Sequence, residues 1–176
     1  MRILAISGSL RARSSNTAVL SAAARLAPPD MSIVLYNGLT SLPYFNPDLD
    51  TEEPPEAVVA LRREIGRCQG LLLCSPEYAH GVAGALKNAL DWLVGSLEFP
   101  EKPVAVINAS QRASHADAQL RLTLATMSAR LIEAASISLP LLGRSLDAEG
   151  IVRNAELAEK IRTALRQFAD AITSGS

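Results

Sequence analysis

The amino-acid sequence predicts an α/β fold in which a five-stranded parallel sheet is covered by helices on both faces. Short apolar runs alternate with helical periodicities along the whole chain, which is the pattern of repeated strand–helix units. The run at residues 71–74 is apolar throughout, as expected for a central strand buried on both faces. With 176 residues, 48% of them hydrophobic, the chain suits one compact domain that spans residues 1–176.

Five short apolar runs predict the strands. Because a helix lies between each strand and the next, the strands run parallel, and right-handed crossovers place helices on both faces of the sheet. The predicted strands are residues 3–6, 32–36, 71–74, 104–107 and 136–139.

Apolar residues at helical spacing predict the helices of the first half. The first helix spans residues 16–27 and ends at Pro28 and Pro29, since proline cannot continue a helix. The segment 42–48 contains two prolines and is predicted as a loop. The second helix starts after Pro54-Pro55, and its inward-facing residues are Val58, Leu61 and Ile65.

Three further helices follow in the second half. The third spans residues 83–94, and the fourth and the closing helix are predicted from their apolar stripes. The fourth carries Leu120, Leu124, Met127 and Leu131 on one face. The closing helix carries Leu157, Ile161, Leu165, Phe168 and Ile172.

Composition excludes several classes of function. The 17 basic and 18 acidic residues give a formal net charge of -1, which offers no basic face for nucleic acid. Cys68 and Cys74 form neither a CxxC pair nor a metal cluster, and we expect two buried, reduced thiols. No apolar run reaches the length of a membrane span, so we expect a cytoplasmic protein without a membrane partner.

The sheet order predicts where a ligand binds. In the order 2-1-3-4-5, strand order reverses between strands 1 and 3, and a crevice opens outside their carboxyl ends. Two segments border it, and we name them the first loop (residues 7–17) and the second loop (residues 75–81).

The first loop has the composition of a phosphate site. It enters the N-terminus of a helix, where unpaired N–H groups and the helix dipole favour anions. It lacks the GKS or GKT ending of a nucleoside-triphosphate loop and the G-x-G-x-x-G spacing of a dinucleotide loop. The alternative interpretation is an ordinary helix cap with solvated arginines. Its donors are Ser9, Arg11, Ser14, Ser15, Asn16 and Thr17.

The second loop suits a flat heterocycle. Pro76 stiffens the exit from strand 3, and Gly81 lets backbone approach a ligand closely. A rigid loop at the sheet edge can offer a flat slot and backbone donors without an acid or a base. The chemistry would then belong to a cofactor, and the protein would place and tune it.

Four motifs together resemble the NADPH-dependent FMN reductase family. They are GSLR at residues 8–11, SN at 15–16, PEY at 76–78 and GALKNALDW at 84–92. The resemblance implies a flavodoxin-like three-layer sandwich with bound FMN and with NADPH or NADH as electron donor. It also implies a small-molecule acceptor (free flavin, a quinone, an azo compound or a metal oxyanion), ping-pong turnover, and a homodimer or homotetramer.

The resemblance also assigns residues. The FMN phosphate would be held by Ser9, Arg11, Ser15, Asn16 and Thr17. The isoalloxazine ring would be bordered by Pro76, Glu77 and Tyr78, with the turn through Ala79, His80 and Gly81 and with Ser110 after strand 4. Ala79 departs from the usual Asn of the family and would contribute backbone only. Residues 111–115 replace a Gly-rich stretch, and within them Arg112 is a candidate contact for NADPH.

Other residues have plainer interpretations. His80 and His115 are interpreted as exposed, and Trp92 as core or interface. Lys87 and Asp91 stand four residues apart, as in a solvated helix pair. No cluster of His, Asp and Glu predicts a metal site. Trp92, Leu93 and Val94 are the apolar residues that suggest a subunit interface.

Two other functions stay open at this stage. A flavodoxin-type electron carrier would be reduced by a separate protein and would oxidise little NAD(P)H directly. A flavin-free regulatory or scaffold protein would keep the fold without the site.

Overall fold

The computed structural model describes residues 1–110, 113–141, 143 and 146–175. Its central sheet is parallel and buried, because its strands combine apolar side chains directed to both faces. Its strands are β1 (Arg2–Ser7), β2 (Ser32–Leu35), β3 (Gly70–Cys74), β6 (Pro103–Asn108), β7 (Arg130–Leu131) and β8 (Ile137–Ser138). A separate antiparallel hairpin joins β4 (Glu77–Tyr78) to β5 (Gly81–Val82).

Helices form the two outer layers. They are α1 (Ser15–Leu26), α2 (Glu56–Gly66), α3 (Gly84–Asp91), α4 (Ser114–Thr126), α5 (Ala148–Arg153) and α6 (Ala155–Ser174). The helices α1, α5 and α6 pack on one face of the sheet, and α2, α3 and α4 pack on the other. Alternate residues of each strand point to opposite faces, so that Leu72 joins one core and Leu71 and Leu73 join the other.

The predicted three layers and the strand order are confirmed. The sheet runs β2-β1-β3-β6-β7, with β8 also paired to β6, and every pair in it is parallel. The fifth position differs from the prediction because two short strands share it. A 3-10 turn at Glu133–Ala135 separates them, so β7 pairs near the start of β6 and β8 near its end.

The predicted face of the fourth helix is wrong at Leu131. Helix α4 ends at Thr126, and Ser128 turns the chain with a φ of 59°. Leu131 then pairs with Val104 in the sheet. The closing helix is confirmed as α6, which buries all five residues of the predicted stripe, and Asn154 caps it after the short α5.

Three further expectations concern burial and membrane contact. Cys68 and Cys74 are buried and unpaired, as predicted. Trp92 and Leu93 are 0% and 1% exposed, so they belong to the core and cannot form a subunit interface, whereas Val94 is 65% exposed. No helix in the described ranges is both long enough and apolar enough to cross a membrane.

Candidate active site

The first and second loops converge at the carboxyl ends of β1 and β3. Ser7 is in register with Cys74, and the Gly8 N–H donates to the Cys74 carbonyl at 2.8 Å. A Cβ at position 8 would lie 3.1 Å from the Leu86 Cβ and 3.2 Å from the Ser75 Oγ. Glycine is therefore the residue that lets the first loop pass this close to the second loop and α3.

The start of α1 presents unpaired donors. Ser14 is the N-cap, and its Oγ accepts from the Thr17 N–H at 3.3 Å. The Thr17 hydroxyl is held by the Ser7 hydroxyl at 2.9 Å. The N–H groups of Ser15 and Asn16 have no acceptor among the described residues. These two groups, together with the positive end of the helix dipole, would favour an anion at this position.

The first loop carries two kinds of polar side chain near this helix start, buried polar groups and exposed arginines. Ser9 and Asn16 are buried, whereas Arg11 and Arg13 are exposed and form no ion pair within the described ranges. Of these two exposed arginines, only Arg11 lies in the GSLR motif, and it is the one assigned to the anion. A cleft of about 120 Å³ opens on the β2 side of the loop, and its polar lining includes Ser7, Ser9, Thr17, Tyr36, Asn37 and Thr40.

The second loop forms the hairpin of β4 and β5. Its two-residue turn consists of Ala79 and His80, whose φ angles are 49° and 59°. Side chains at positive φ are strained by about 1–2 kcal/mol each relative to a right-handed conformation. Tyr78 is 52% exposed at the tip of β4. The hairpin therefore presents its backbone and the Tyr78 ring to the sheet edge.

Glu77 does not point freely into the crevice. Its Oε2 accepts from the Ala116 N–H at 2.9 Å, in the first turn of α4, and its Oε1 lies 3.1 Å from the His80 Nδ1. Helix α4 has Ala113 at its N-cap and no side-chain cap of its own, so Glu77 supplies the missing acceptor. The Ala116 N–H, and next the His80 ring, lower the pKa of Glu77 below its ordinary value.

Two further contacts fasten the hairpin to α4. The Val82 N–H donates to the Gln119 Oε1 at 2.7 Å, and the His80 and His115 rings meet edge to face with centroids 4.6 Å apart. Together with Glu77 they hold the second loop against the first two turns of α4. The contacts of Glu77 and Gln119 could not be anticipated from the sequence, because their partners are 39 and 37 residues away.

A third loop leaves β6 beside the hairpin. The Ser110 N–H donates to the Asn108 Oδ1 at 2.9 Å, and the Asn108 Nδ2 donates to the Ala113 carbonyl at 3.1 Å. Ser110 therefore sits on an anchored turn at the sheet edge. Arg112, the candidate NADPH contact, lies outside the described residues. Among those described, no group of three or more His, Cys, Asp or Glu side chains is placed to hold a metal ion.

The last motif, at residues 84–92, supports the site from behind. The Asn88 Oδ1 accepts from the Phe45 N–H at 2.8 Å, and the Asn88 Nδ2 donates to the Pro43 carbonyl at 2.9 Å. The Trp92 Nε1–H donates to the same carbonyl at 2.8 Å. Lys87 and Asp91 form the predicted helix pair at 2.5 Å. Asn88 and Trp92 thus fix the loop at residues 42–48.

The NADPH-dependent FMN reductase family matches residues 1–141. The chain belongs to this family. An NAD(P)H-dependent FMN reductase of Pseudomonas aeruginosa is 36% identical over 171 residues, which cover 94% of this chain and 92% of that protein. A quinone reductase of Escherichia coli K12 is 33% identical over 106 residues, or 60% of this chain and 55% of that protein.

A solved structure agrees with this assignment. The flavoenzyme FerB of Paracoccus denitrificans, an NAD(P)H:(acceptor) oxidoreductase, has a TM-score of 0.86 and 27% identity. The match covers 98% of this chain and 97% of that one. The protein is therefore a flavodoxin-like oxidoreductase with FMN as its cofactor and NADPH or NADH as its electron donor.

The start of α1 suits a phosphate monoester. Such a group offers three acceptor oxygens, and the N–H groups of Ser15 and Asn16 are donors without a partner among the described residues. The exposed Arg11 precedes them in the same loop. No carboxylate in the described part of the first loop opposes a negative charge.

Proposed function

We propose that the protein passes electrons from NADPH or NADH to a small quinone by a ping-pong mechanism. When bound, FMN supplies the chemistry, since it accepts a hydride and releases electrons to an acceptor. A quinone is favoured because relatives in Pseudomonas putida and Escherichia coli are named quinone reductases. Free flavin, azo compounds and metal oxyanions are the other acceptors within the proposal.

The first loop would hold the phosphate end of the cofactor. The N–H groups of Ser15 and Asn16 and the Asn16 amide would donate to it, and Arg11 would neutralise its charge. Ser9 and Thr17 would add hydroxyl donors. Ser14 would act from behind as the N-cap that orders this turn.

The second loop would border the ring. Pro76 and Gly81 would shape the slot, the backbone at Tyr78, Ala79 and His80 would face the ring edge, and Ser110 would approach from the neighbouring turn. Glu77 would hold the hairpin in place against α4 rather than contact the ring. Because a single slot would admit the electron donor first and the electron acceptor afterwards, turnover would follow a ping-pong mechanism.

The convergence of the two loops at Gly8 is the observation that carries this proposal. The Gly8–Cys74 hydrogen bond and the close approach to Ser75 bring the first loop and the hairpin to one edge of the sheet. A ligand with a phosphate at one end and a flat ring at the other matches that arrangement.

Turnover of the purified protein loaded with FMN tests the function. We expect oxidation of NADPH or NADH with a benzoquinone acceptor, and parallel double-reciprocal plots when both substrates are varied. Bound flavin without NAD(P)H oxidation would instead indicate an electron carrier. Protein that remains colourless after addition of FMN would indicate a flavin-free scaffold.

The residue assignment is tested separately by flavin affinity. The variant Arg11→Ala combined with Asn16→Ala should weaken FMN binding by at least about tenfold, because charge-assisted hydrogen bonds to phosphate are lost. Riboflavin, which lacks the phosphate, should bind both proteins equally. Arg13→Ala is the matched control, since it removes an exposed charge from the same loop outside the motif.

The proposal also covers assembly and location. We propose one domain over residues 1–176 that assembles as a homodimer or homotetramer in the cytoplasm, where reduced nicotinamide is supplied. Support for assembly comes from an exposed apolar patch, defined as Leu49, Val94 and Leu97. A Cβ at Gly95 would lie 3.1 Å from the Asp50 Oδ2, so the chain segments that carry Leu49 and Val94 approach each other.

A further inference from the structure

Cys74 contacts both ends of the first loop. It closes β3 with a fully buried side chain. Its carbonyl accepts from the Gly8 N–H at 2.8 Å, and its Sγ lies 3.0 Å from the Asn16 Oδ1. Its contact with Asn16 is not visible in the sequence, where the two residues are 58 positions apart and Cys74 is an ordinary buried thiol.

The direction of the hydrogen bond between Cys74 and Asn16 follows from their chemistry. Burial raises the pKa of the Cys74 thiol, so the sulfur keeps its proton at neutral pH and acts as the donor. An amide oxygen is a stronger acceptor than a thiol sulfur. The Asn16 Oδ1 therefore faces Cys74, and the Nδ2 group faces away from it.

The Asn16 amide nitrogen has no partner among the described residues. Asn16 is 9% exposed, and its Nδ2 donates no hydrogen bond within the described part of the chain. The Nδ2 atom is not among the fully buried side-chain atoms that lack a partner, so it keeps contact with solvent and its hydrogens are open to a ligand. It lies in the first turn of α1, whose N–H groups at Ser15 and Asn16 also lack acceptors.

We propose that Cys74 is a positioning residue for the cofactor phosphate: its thiol fixes the Asn16 amide so that Nδ2 points its hydrogens at the anion. Without the thiol, the amide is free to rotate by half a turn. Rotation places an oxygen, which only accepts, against the phosphate oxygens. The inference rests on the proposed function, because it needs the phosphate at the start of α1.

Flavin affinity measured by fluorescence quenching of the apoprotein tests the inference. Cys74→Ala should weaken FMN binding about fivefold, as expected for the loss of one hydrogen bond, and should leave riboflavin binding unchanged. Cys68→Ala is the matched control, because Cys68 is also a buried thiol but donates to the Ile65 carbonyl away from the loop. Cys74→Ser keeps a donor and should restore most of the FMN affinity.

A double-mutant cycle separates positioning from a packing defect. In the Asn16→Ala background, Cys74→Ala should cause no further loss of FMN affinity. An equal loss for FMN and riboflavin, or the same loss with and without Asn16, would show that Cys74 only packs and would overturn the inference.

The double-mutant cycle also distinguishes the role of Cys74 from the phosphate-site assignment on which that role depends. If Asn16→Ala leaves FMN affinity unchanged, the proposed phosphate site is wrong and the role of Cys74 is refuted with it. If Asn16→Ala weakens FMN binding and Cys74→Ala does not, only the role of Cys74 is refuted. In the apoprotein, the Asn16 side-chain amide resonances should shift in Cys74→Ala and stay in place in Cys68→Ala.

Discussion

Two neighbouring residues of the second loop carry backbone strain. Ala79 and His80 both have positive φ angles, in a two-residue turn whose geometry favours Asn and Gly. The loop keeps this conformation because β4 and β5 pair on either side and α4 holds the hairpin. Strain of this kind gathers at binding sites, where the surrounding structure enforces it.

Ala79→Gly should therefore stabilise the protein. Relief of the positive φ should raise the free energy of unfolding by about 1 kcal/mol, measured by urea denaturation. Ala118→Gly is the opposite control, because Ala118 lies in the exposed interior of α4, where glycine should lower the free energy of unfolding by about 1 kcal/mol. Equal effects of the two substitutions would contradict a strained turn.

Glu77 gives the hairpin a dependence on pH. Its pKa in the folded protein is lowered from an ordinary value of 4.5, so its stabilising contribution is complete above that pH. The contribution is lost as the pH falls through the lowered pKa, because the protonated carboxyl is a poorer acceptor for the Ala116 N–H.

The pH dependence should appear as a difference in Tm between the Glu77→Gln variant and the wild type. At pH 7 the variant should melt below the wild type, and the gap should close as the pH falls below 4.5. Glu53→Gln makes the same change of charge at an exposed residue whose side chain has no partner in the described ranges. A gap for Glu77→Gln that stays constant down to pH 3 would rule out the interpretation.

Single residues of the site differ in how far the sequence reveals them. Ser9, Arg11 and Asn16 stand in motifs, and their polarity at a strand–helix junction already predicts a phosphate site. Cys74 and Gln119 carry no such signal, because each acts through a contact made by tertiary packing.

Elements with a strong hydrophobic pattern are predicted well from the sequence, whereas short strands that form only through pairing are not. The strands β1, β3 and β6 follow from apolar runs. The hairpin of β4 and β5 is missed, because its strands have two residues each and its turn lacks the usual Asn-Gly signal. The apolar spacing from Met127 to Leu131 fits a helix, and it cannot reveal the left-handed turn at Ser128.

The loop at residues 42–48 depends on α3 for its shape. Asn88→Ala removes the acceptor of the Phe45 N–H and one donor to the Pro43 carbonyl. We expect the free energy of unfolding to fall by about 1–2 kcal/mol in urea denaturation, because a partly buried N–H loses its partner.

The neighbouring Lys87→Ala serves as the control for Asn88→Ala. It breaks only a partly exposed ion pair with Asp91 and should change the free energy of unfolding by less than about 0.5 kcal/mol. A loss in Lys87→Ala as large as in Asn88→Ala would mean that the helix, and not the loop contacts, accounts for the effect.

At the scale of the whole molecule, the strand order is predictable because few topologies satisfy parallel pairing with right-handed crossovers. Subunit contacts are not predictable from the sequence, since an apolar residue after a helix can be buried or exposed. Trp92 and Leu93 turned inward to hold the loop at residues 42–48 and fill the core, and Val94 and Leu97 remain outside.

Leu97→Lys should shift the protein towards monomer. Leu97 is 94% exposed in the apolar patch, and a charge there disfavours burial between subunits. Sedimentation velocity at several concentrations measures the shift. Leu122→Lys alters an exposed leucine on α4, outside the patch, and should leave assembly unchanged. Dissociation by Leu122→Lys alone would place the interface on α4.

The contact at Gly8 has a consequence for engineering. Since a methyl group there would lie 3.1 Å from the Leu86 Cβ and 3.2 Å from the Ser75 Oγ, a side chain at position 8 would press the two binding segments apart by a few tenths of an ångström. Grafting either segment from a relative into this scaffold on its own should misalign the other. Transplants meant to change substrate preference should exchange both segments together, with the glycine retained.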